Sequence, residues 1–156
     1  MIIVETPGVN KLEAEHLVLD YNGTLAIDGK LTPGIKSRLE ELSHQIKIHI
    51  LTADTFGTSE KELANINCEL EIIDQEMQDV HKQEYVNHLG KKKVIAIGNG
   101  ANDALMLASA GIGILVILAE GASPKALMNA DIVCTSIVDA LDLLKNPLRM
   151  VATLKK

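Results

Sequence analysis

The chain has 156 residues, 47% of them hydrophobic, and a formal net charge of −6. That is enough apolar material for the core of one domain, and it argues against disorder. The acidic balance, the 2% aromatic content and the lack of Trp argue against nucleic acid, which calls for basic patches and stacking rings.

The N-terminus shows no basic segment followed by an apolar leader. The longest apolar run, 112–119, is broken by Gly113 and is too short to span a bilayer, so no membrane role is expected. Cys68 and Cys134 lie far apart and form no CxxC pair. They read as small buried hydrophobes in a reduced, cytoplasmic compartment.

In chain order, residues 2–4 and 15–20 read as strands, separated by the turn-like Pro7-Gly8-Val9-Asn10. The second strand is the apolar run Leu17-Val18-Leu19, which ends on Asp20 and meets Asn22-Gly23-Thr24. This pattern delivers a carboxylate to the carboxyl end of a sheet, where open α/β sheets bind ligands. Residues 25–31 predict a small hairpin with Asp28-Gly29 as its turn. Thr32 as N-cap and Pro33 at the first helical position then open a helix, with Ile35, Leu39 and Leu42 at helical spacing.

A strand over 46–51 ends at Thr52, a helix covers 59–66 and a strand 70–73. A helix over 79–89 carries Val80, Tyr85, Val86 and Leu89 as inner positions. The strand 93–97 runs into Gly98-Asn99-Gly100-Ala101-Asn102-Asp103 and a helix over 102–109. A strand 112–117, a short helix 124–128, a strand 131–134 and a helical region 137–154 interrupted by Pro147 complete the chain. Strands alternating with helices predict an α/β domain of three layers, with helices on both faces of a mostly parallel sheet. No repeat or linker divides 1–156, and no large inserted cap fits between the elements. Two strand ends that each deliver an acid, at Asp20 and Asp103, could together hold a divalent cation. Mg²⁺ needs only one or two protein carboxylates beside phosphate and water.

Four segments in order carry a resemblance. Asp20-Tyr21-Asn22-Gly23-Thr24-Leu25 resembles the DxDGT motif of the haloacid dehalogenase superfamily and the DKTGT motif of P-type ATPases. Ile50-Leu51-Thr52 looks like the second motif, an apolar strand ending in Thr or Ser. Lys82-Gln83-Glu84-Tyr85-Val86-Asn87-His88-Leu89 is similar to the lysine motif of P-type ATPases. Gly98 to Ala104 resembles the fourth motif, GDGxND-A. The resemblance covers about 15–145 and is closest to soluble proteins resembling the phosphorylation domain of the pumps. The pumps' membrane helices and nucleotide-binding domain have no counterpart here, so transport is not expected.

The resemblance implies a Rossmann-like core with the 25–31 hairpin as its flap. It implies a Mg²⁺-dependent phosphohydrolase in which Asp20 forms an aspartyl phosphate. Asp20, the backbone carbonyl of Asn22, Asn99 and Asp103 would hold Mg²⁺. Gly23, Thr24, Thr52, Ala53 and Lys82 would hold the phosphoryl group. Two residues depart from the pattern. Asn22 stands where the phosphatases carry a general acid/base Asp, a group typically worth roughly 10²–10⁴-fold. Asn99 stands where a metal-binding Asp is expected, so weaker Mg²⁺ binding follows. The expected enzyme is slow. The alternative is a non-catalytic phosphate- or partner-binding protein of the same fold, favoured by Asn22 and Asn99 and disfavoured by the retained Asp20, Thr52 and Lys82. Without a cap the site is open. Either a homo-oligomer covers it, or it takes a large phosphate ester or macromolecule as well as phosphorylated small molecules.

Read without the resemblance, these residues keep plainer roles. Asp20 can cap a turn, Thr52 can be a turn residue and Lys82 a solvated helix lysine. Asp103 can complement a helix dipole, Asn99 can be a spacer and Asp54 a helix cap.

Overall fold

The computed structural model of the protein describes residues 1–54 and 57–156. The strands are β1 (Ile2–Glu5), β2 (Lys11–Ala14), β3 (His16–Asp20), β4 (Ala26–Ile27), β5 (Lys30–Leu31), β6 (Lys47–Thr52), β7 (Glu69–Ile72), β8 (Val94–Gly98), β9 (Ile112–Val116) and β10 (Ile132–Cys134). The helices are α1 (Ile35–Ser43), α2 (Thr58–Leu63), α3 (Gln78–Leu89), α4 (Ala104–Ser109), α5 (Pro124–Leu127), α6 (Ile137–Lys145) and α7 (Pro147–Leu154). Among the described residues no helix is long and apolar enough to cross a membrane.

Six strands form a parallel sheet in the order β10-β9-β8-β3-β6-β7. Alternation along the strands builds two cores. Leu17, Leu19, Ile48, Ile50, Ile95 and Ile97 face a core completed by α1, α6 and α7. Val18, Leu51, Val94, Ala96 and Leu115 face a smaller one under α3, α4 and α5. Each fully buried Leu or Ile contributes about 1.5–3 kcal/mol. This is the expected three-layer arrangement, and continuous apolar runs fit strands covered on both faces.

The hairpin β4–β5 is antiparallel, and Asp28 (φ 52°) and Gly29 (φ 79°) both take left-handed backbone, as a type I′ turn requires. Buried Tyr21, next to Asp20, donates its hydroxyl to the Gly29 carbonyl at 3.0 Å and ties this flap to the end of β3.

Several expectations are corrected. Lys11–Ala14 forms β2, which pairs with β1 as an antiparallel hairpin; its exposed–buried alternation carries the period-2 signal. Thr32 does not cap α1. Its N–H donates to Leu25 O at 2.9 Å, its carbonyl accepts from Ile35 N at 3.3 Å, and Gly34 takes φ 85°. Pro33-Gly34 therefore makes a type II turn, which needs positive φ at its third residue, and the helix starts at Ile35. The helix expected over 59–66 ends at Leu63. The one expected over 102–109 begins with a 3-10 turn, Ala101–Asp103. On α3 the buried residues are Lys82 and Val86, while Val80, Tyr85 and Leu89 are half-buried. Cys68 and Cys134 are free and half-buried.

A polar chain crosses the α3 face of the sheet. His16 Nδ1 lies 3.0 Å from His49 Nε2, and His49 Nδ1 lies 2.9 Å from Tyr85 Oη. Burial pulls His49 down to about 4 against the raising effect of Glu69, so the ring is neutral near pH 7. Tyr85 is three residues beyond Lys82, so this chain anchors the helix that carries it.

At Gly113 in β9 the backbone of α4 passes so close that a β-carbon would lie 2.6 Å from Leu107 O. Gly113→Ala is expected to destabilise the protein by about 1–3 kcal/mol through overpacking, read as a lowered midpoint in urea unfolding.

Candidate active site

Parallel register places the carboxyl ends of β3, β6 and β8 side by side. Asp20 pairs with Leu51, and Leu19 with Ile97. Asp20, Thr52 and Gly98 therefore end neighbouring strands at one edge of the sheet, and Lys82 reaches that edge from α3. A cavity of about 400 Å³ opens there, lined by Asp20, Asn22, Thr52, Ala53, Asn99 and Gly100 with Asp54, Gln75, Gln78 and Asn102.

Behind the cavity lies a buried ion network. Lys82 Nζ, 1% exposed, donates to Asp20 Oδ1 and to Asp103 Oδ1, each at 2.7 Å. Asp103 Oδ2 accepts from the backbone N–H groups of Asn99 and Gly100, both at 2.9 Å. Thr24 Oγ1 sits 3.1 Å from Asp20 Oδ2 and 3.3 Å from Asn99 Oδ1. Gly98 allows this packing: a β-carbon there would lie 2.5 Å from Asp103 Cγ.

Burial raises Asp20 to about 7, with Asp103 adding to the rise and Lys82 and Thr24 opposing it. Burial works against the Lys82 ammonium, but Asp20 and Asp103 outweigh it and hold Lys82 at about 12. One cation thus serves two carboxylates, and one negative charge is left in a poorly solvated place.

Thr52 Oγ1 accepts from Asp54 N at 3.2 Å, which leaves its own hydrogen to donate. Asp54 Oδ2 accepts from Ser59 N at 2.8 Å near the start of α2. Asn102 Nδ2 donates to Gln78 Oε1 at 2.8 Å across the rim.

Asp20, Asn22, Thr52, Ala53 and Asn99 share the cavity, with buried Gly23, Thr24, Lys82 and Asp103 beneath it. The resemblance gave Asp103 to the metal. In the structure both its oxygens are engaged, one by Lys82 and one by backbone N–H groups, and it does not line the cavity. Gln75, Gln78 and Asn102 carry no signal of a site in the sequence beyond the place of Asn102 inside the segment that resembles the fourth motif. The oxygens at the cavity that could meet a cation are hard donors, on Asp20, Asn99 and Asn22. Asp20 Oδ2 and Asn99 Oδ1 converge on one hydroxyl. That set fits Mg²⁺, which keeps several waters. No group of three or more His, Cys, Asp or Glu among the described residues could hold an ion alone.

The fold and this strand-end acid define an α/β protein with a polar cavity at the carboxyl edge of a parallel sheet, where such sheets bind ligands. Residues 69–140 match the family of haloacid dehalogenase-like hydrolases. A probable copper-exporting P-type ATPase of Archaeoglobus fulgidus is 34% identical over 113 residues, 71% of this chain but 13% of the pump. An uncharacterized protein of Methanocaldococcus jannaschii is 56% identical over 62 residues, 40% of this chain and 67% of that protein. Among solved structures, the cobalt-bound deoxy-D-mannose-octulosonate 8-phosphate phosphatase of Haemophilus influenzae superposes with a TM-score of 0.72 at 12% identity, covering 90% of this chain and 92% of that one. The 3-deoxy-D-manno-octulosonate 8-phosphate phosphatase of Moraxella catarrhalis, solved with magnesium, phosphate and the sugar acid, gives 0.69 at 14%, covering 89% and 90%. Over residues 69–140 the chain is similar to the haloacid dehalogenase-like hydrolases, and over nearly its whole length its fold is that of the two solved phosphatases.

A carboxyl whose folded-state pKa is raised destabilises the fold once ionised. For Asp20 that penalty is absent below about 3.8, grows up to about 7 and is complete above it. Asp20→Asn leaves Lys82 paired with Asp103 alone and removes the uncompensated charge. At pH 8 without divalent cation the variant is expected to melt at least about 2 °C above wild type, with the gap closing toward pH 4. Calorimetry at both pH values checks this.

Proposed function

We propose that the protein is a Mg²⁺-dependent phosphohydrolase that works through an aspartyl phosphate on Asp20. The observation that carries this reading is the buried Lys82 ammonium, held 2.7 Å from Asp20 at the floor of an open cavity. A buried lysine shared by two acids is expensive to keep for stability alone. It is well placed to neutralise an arriving phosphoryl group.

In the first step an Asp20 carboxylate oxygen attacks phosphorus, the ester P–O bond breaks, and the alcohol leaves with a proton taken from water. Thr52 Oγ1, the Ala53 backbone N–H and the Lys82 ammonium bind the phosphoryl oxygens. In the second step water attacks the acyl phosphate, inorganic phosphate departs and Asp20 is free again. Bound Mg²⁺ supplies charge neutralisation between the anionic phosphate and the anionic nucleophile. We assign Asp20, Asn99 and the Asn22 carbonyl to its shell and Asp103 to holding Lys82. Asn22, exposed at the mouth, has an amide that exchanges no proton near pH 7, so both proton transfers fall to water and turnover is slow.

Gln75, Gln78, Asn102 and Asn22 give the rim uncharged amides. They suit a leaving group with hydroxyls, in a phosphorylated small molecule of the size the octulosonate 8-phosphate phosphatases take. The second reading, a protein that binds phosphate or a partner without turnover, rests on Asn22 and Asn99.

Phosphate release from an aryl phosphate is expected to need Mg²⁺ and to vanish in Asp20→Asn. It is expected to rise about tenfold or more in Asn22→Asp, where the acid/base carboxyl returns. Without saturating cation the rate should climb as pH rises through about 7, where Asp20 ionises. No release from any of these proteins at any pH would favour the binding reading.

A further inference from the structure

The turn after β9 lies against the active site. Gly121 N donates to Leu118 O at 2.9 Å, closing a turn over Leu118, Ala119, Glu120 and Gly121. Two hydrogen bonds fasten this turn to Asn99. Asn99 Nδ2 donates to the Gly121 carbonyl at 3.2 Å, and Ser123 N donates to the Asn99 carbonyl at 2.8 Å. A carboxylate at position 99 could not make the first bond, because two acceptors would face each other. The amide therefore has a structural reason to be there. The bond also sets its orientation, with Nδ2 on the turn and Oδ1 toward Thr24 and the Asp20 side.

The same turn brings in a carboxylate. Gly23, at φ 79°, has no β-carbon, and one built there would lie 2.7 Å from Glu120 Oε2, 2.5 Å from Asn99 Nδ2 and 3.0 Å from Asn99 Oδ1. Glu120 and the Asn99 amide thus meet in the space that Gly23 leaves open. Glu120 is exposed, and among the described residues no cation pairs with it. Its Oε2 borders the same space over Gly23 that Asn99 Oδ1 borders.

We propose that Glu120 supplies the negative charge that Asn99 lacks, as an outer carboxylate of the divalent-cation site that accepts a hydrogen bond from a cation-bound water. The charge has moved from the end of β8 to the turn after β9, and Gly23 is the opening through which it acts. This rests on the cation dependence proposed above. Glu120 does no chemistry on the phosphoryl group. It is a positioning residue for the hydrated ion.

The test is a binding measurement with the ion alone. Free Mn²⁺ is followed by electron paramagnetic resonance during titration of wild type, Glu120→Gln and Asp20→Asn, with Mg²⁺ as competitor. Wild type is expected to bind one ion that Mg²⁺ displaces. Glu120→Gln is expected to bind it about tenfold more weakly or worse, as loss of an outer-shell partner does, with an unchanged metal-free melting temperature. Binding unchanged in Glu120→Gln but lost in Asp20→Asn would overturn the Glu120 inference and leave the cation site standing. No displaceable ion on wild type would overturn both.

Discussion

The site is organised around one buried ammonium. Lys82 Nζ reaches Asp20 and Asp103 at 2.7 Å each and is almost wholly removed from water. Burying a charge is tolerable only when its partners are fixed, and each partner here is fixed by something else. Asp103 is fixed by two backbone N–H groups at the end of β8 and by the missing side chain of Gly98. Asp20 is fixed by β3, at the centre of the sheet, and by Thr24. Lys82 is fixed by α3, which Val86 and the Tyr85–His49 contact hold against the sheet. Disturbing any of these moves the ammonium.

The same network leaves the site short of positive charge. Two carboxylates share a single ammonium, so burial leaves Asp20 short of counter-charge and raises it to about 7. A divalent cation at the cavity would meet that shortage and return Asp20 to the ionised form a nucleophile needs. Under the proposed function, the protein gives up stability at this point and gains a carboxylate that a cation can switch on. The flap is short, with two residues in each of β4 and β5, and the cavity keeps a rim of Gln75, Gln78 and Asn102.

Much of this was legible in the sequence. Asp20 and Thr52 end apolar runs, and strand ends in a parallel sheet share one edge by geometry. The Asp28-Gly29 turn and the Pro147 break follow from backbone chemistry that neighbours cannot override. What could not be read has physical causes. Apolar residues mark Val80, Tyr85, Val86 and Leu89 as the inner face of α3, but Lys82 is buried with Val86 because its partners come from β3 and from beyond β8, distant in sequence. Thr32 has the chemistry of a cap, yet closing the flap hairpin took its backbone, and Pro33-Gly34 turned the chain instead. Asp103 sits in the segment that resembles a metal-binding motif, and in the structure it faces Lys82, because Gly98 lets it fold back against the strand end. Glu120 belongs to no motif and comes near Gly23 only through the turn after β9.

The central claim is that Asp20 is a nucleophile, and trapping the covalent intermediate tests it most directly. Asn22 is expected to slow hydrolysis of the acyl phosphate, so acid quenching during turnover with Mg²⁺ and an aryl phosphate should preserve some of it. Mass spectrometry of the peptide containing Asp20 should then show the added mass of one phosphoryl group, absent from Asp20→Asn and lost on treatment with hydroxylamine. Phosphate release with no such adduct in wild type, or with the adduct on another residue, would contradict the account.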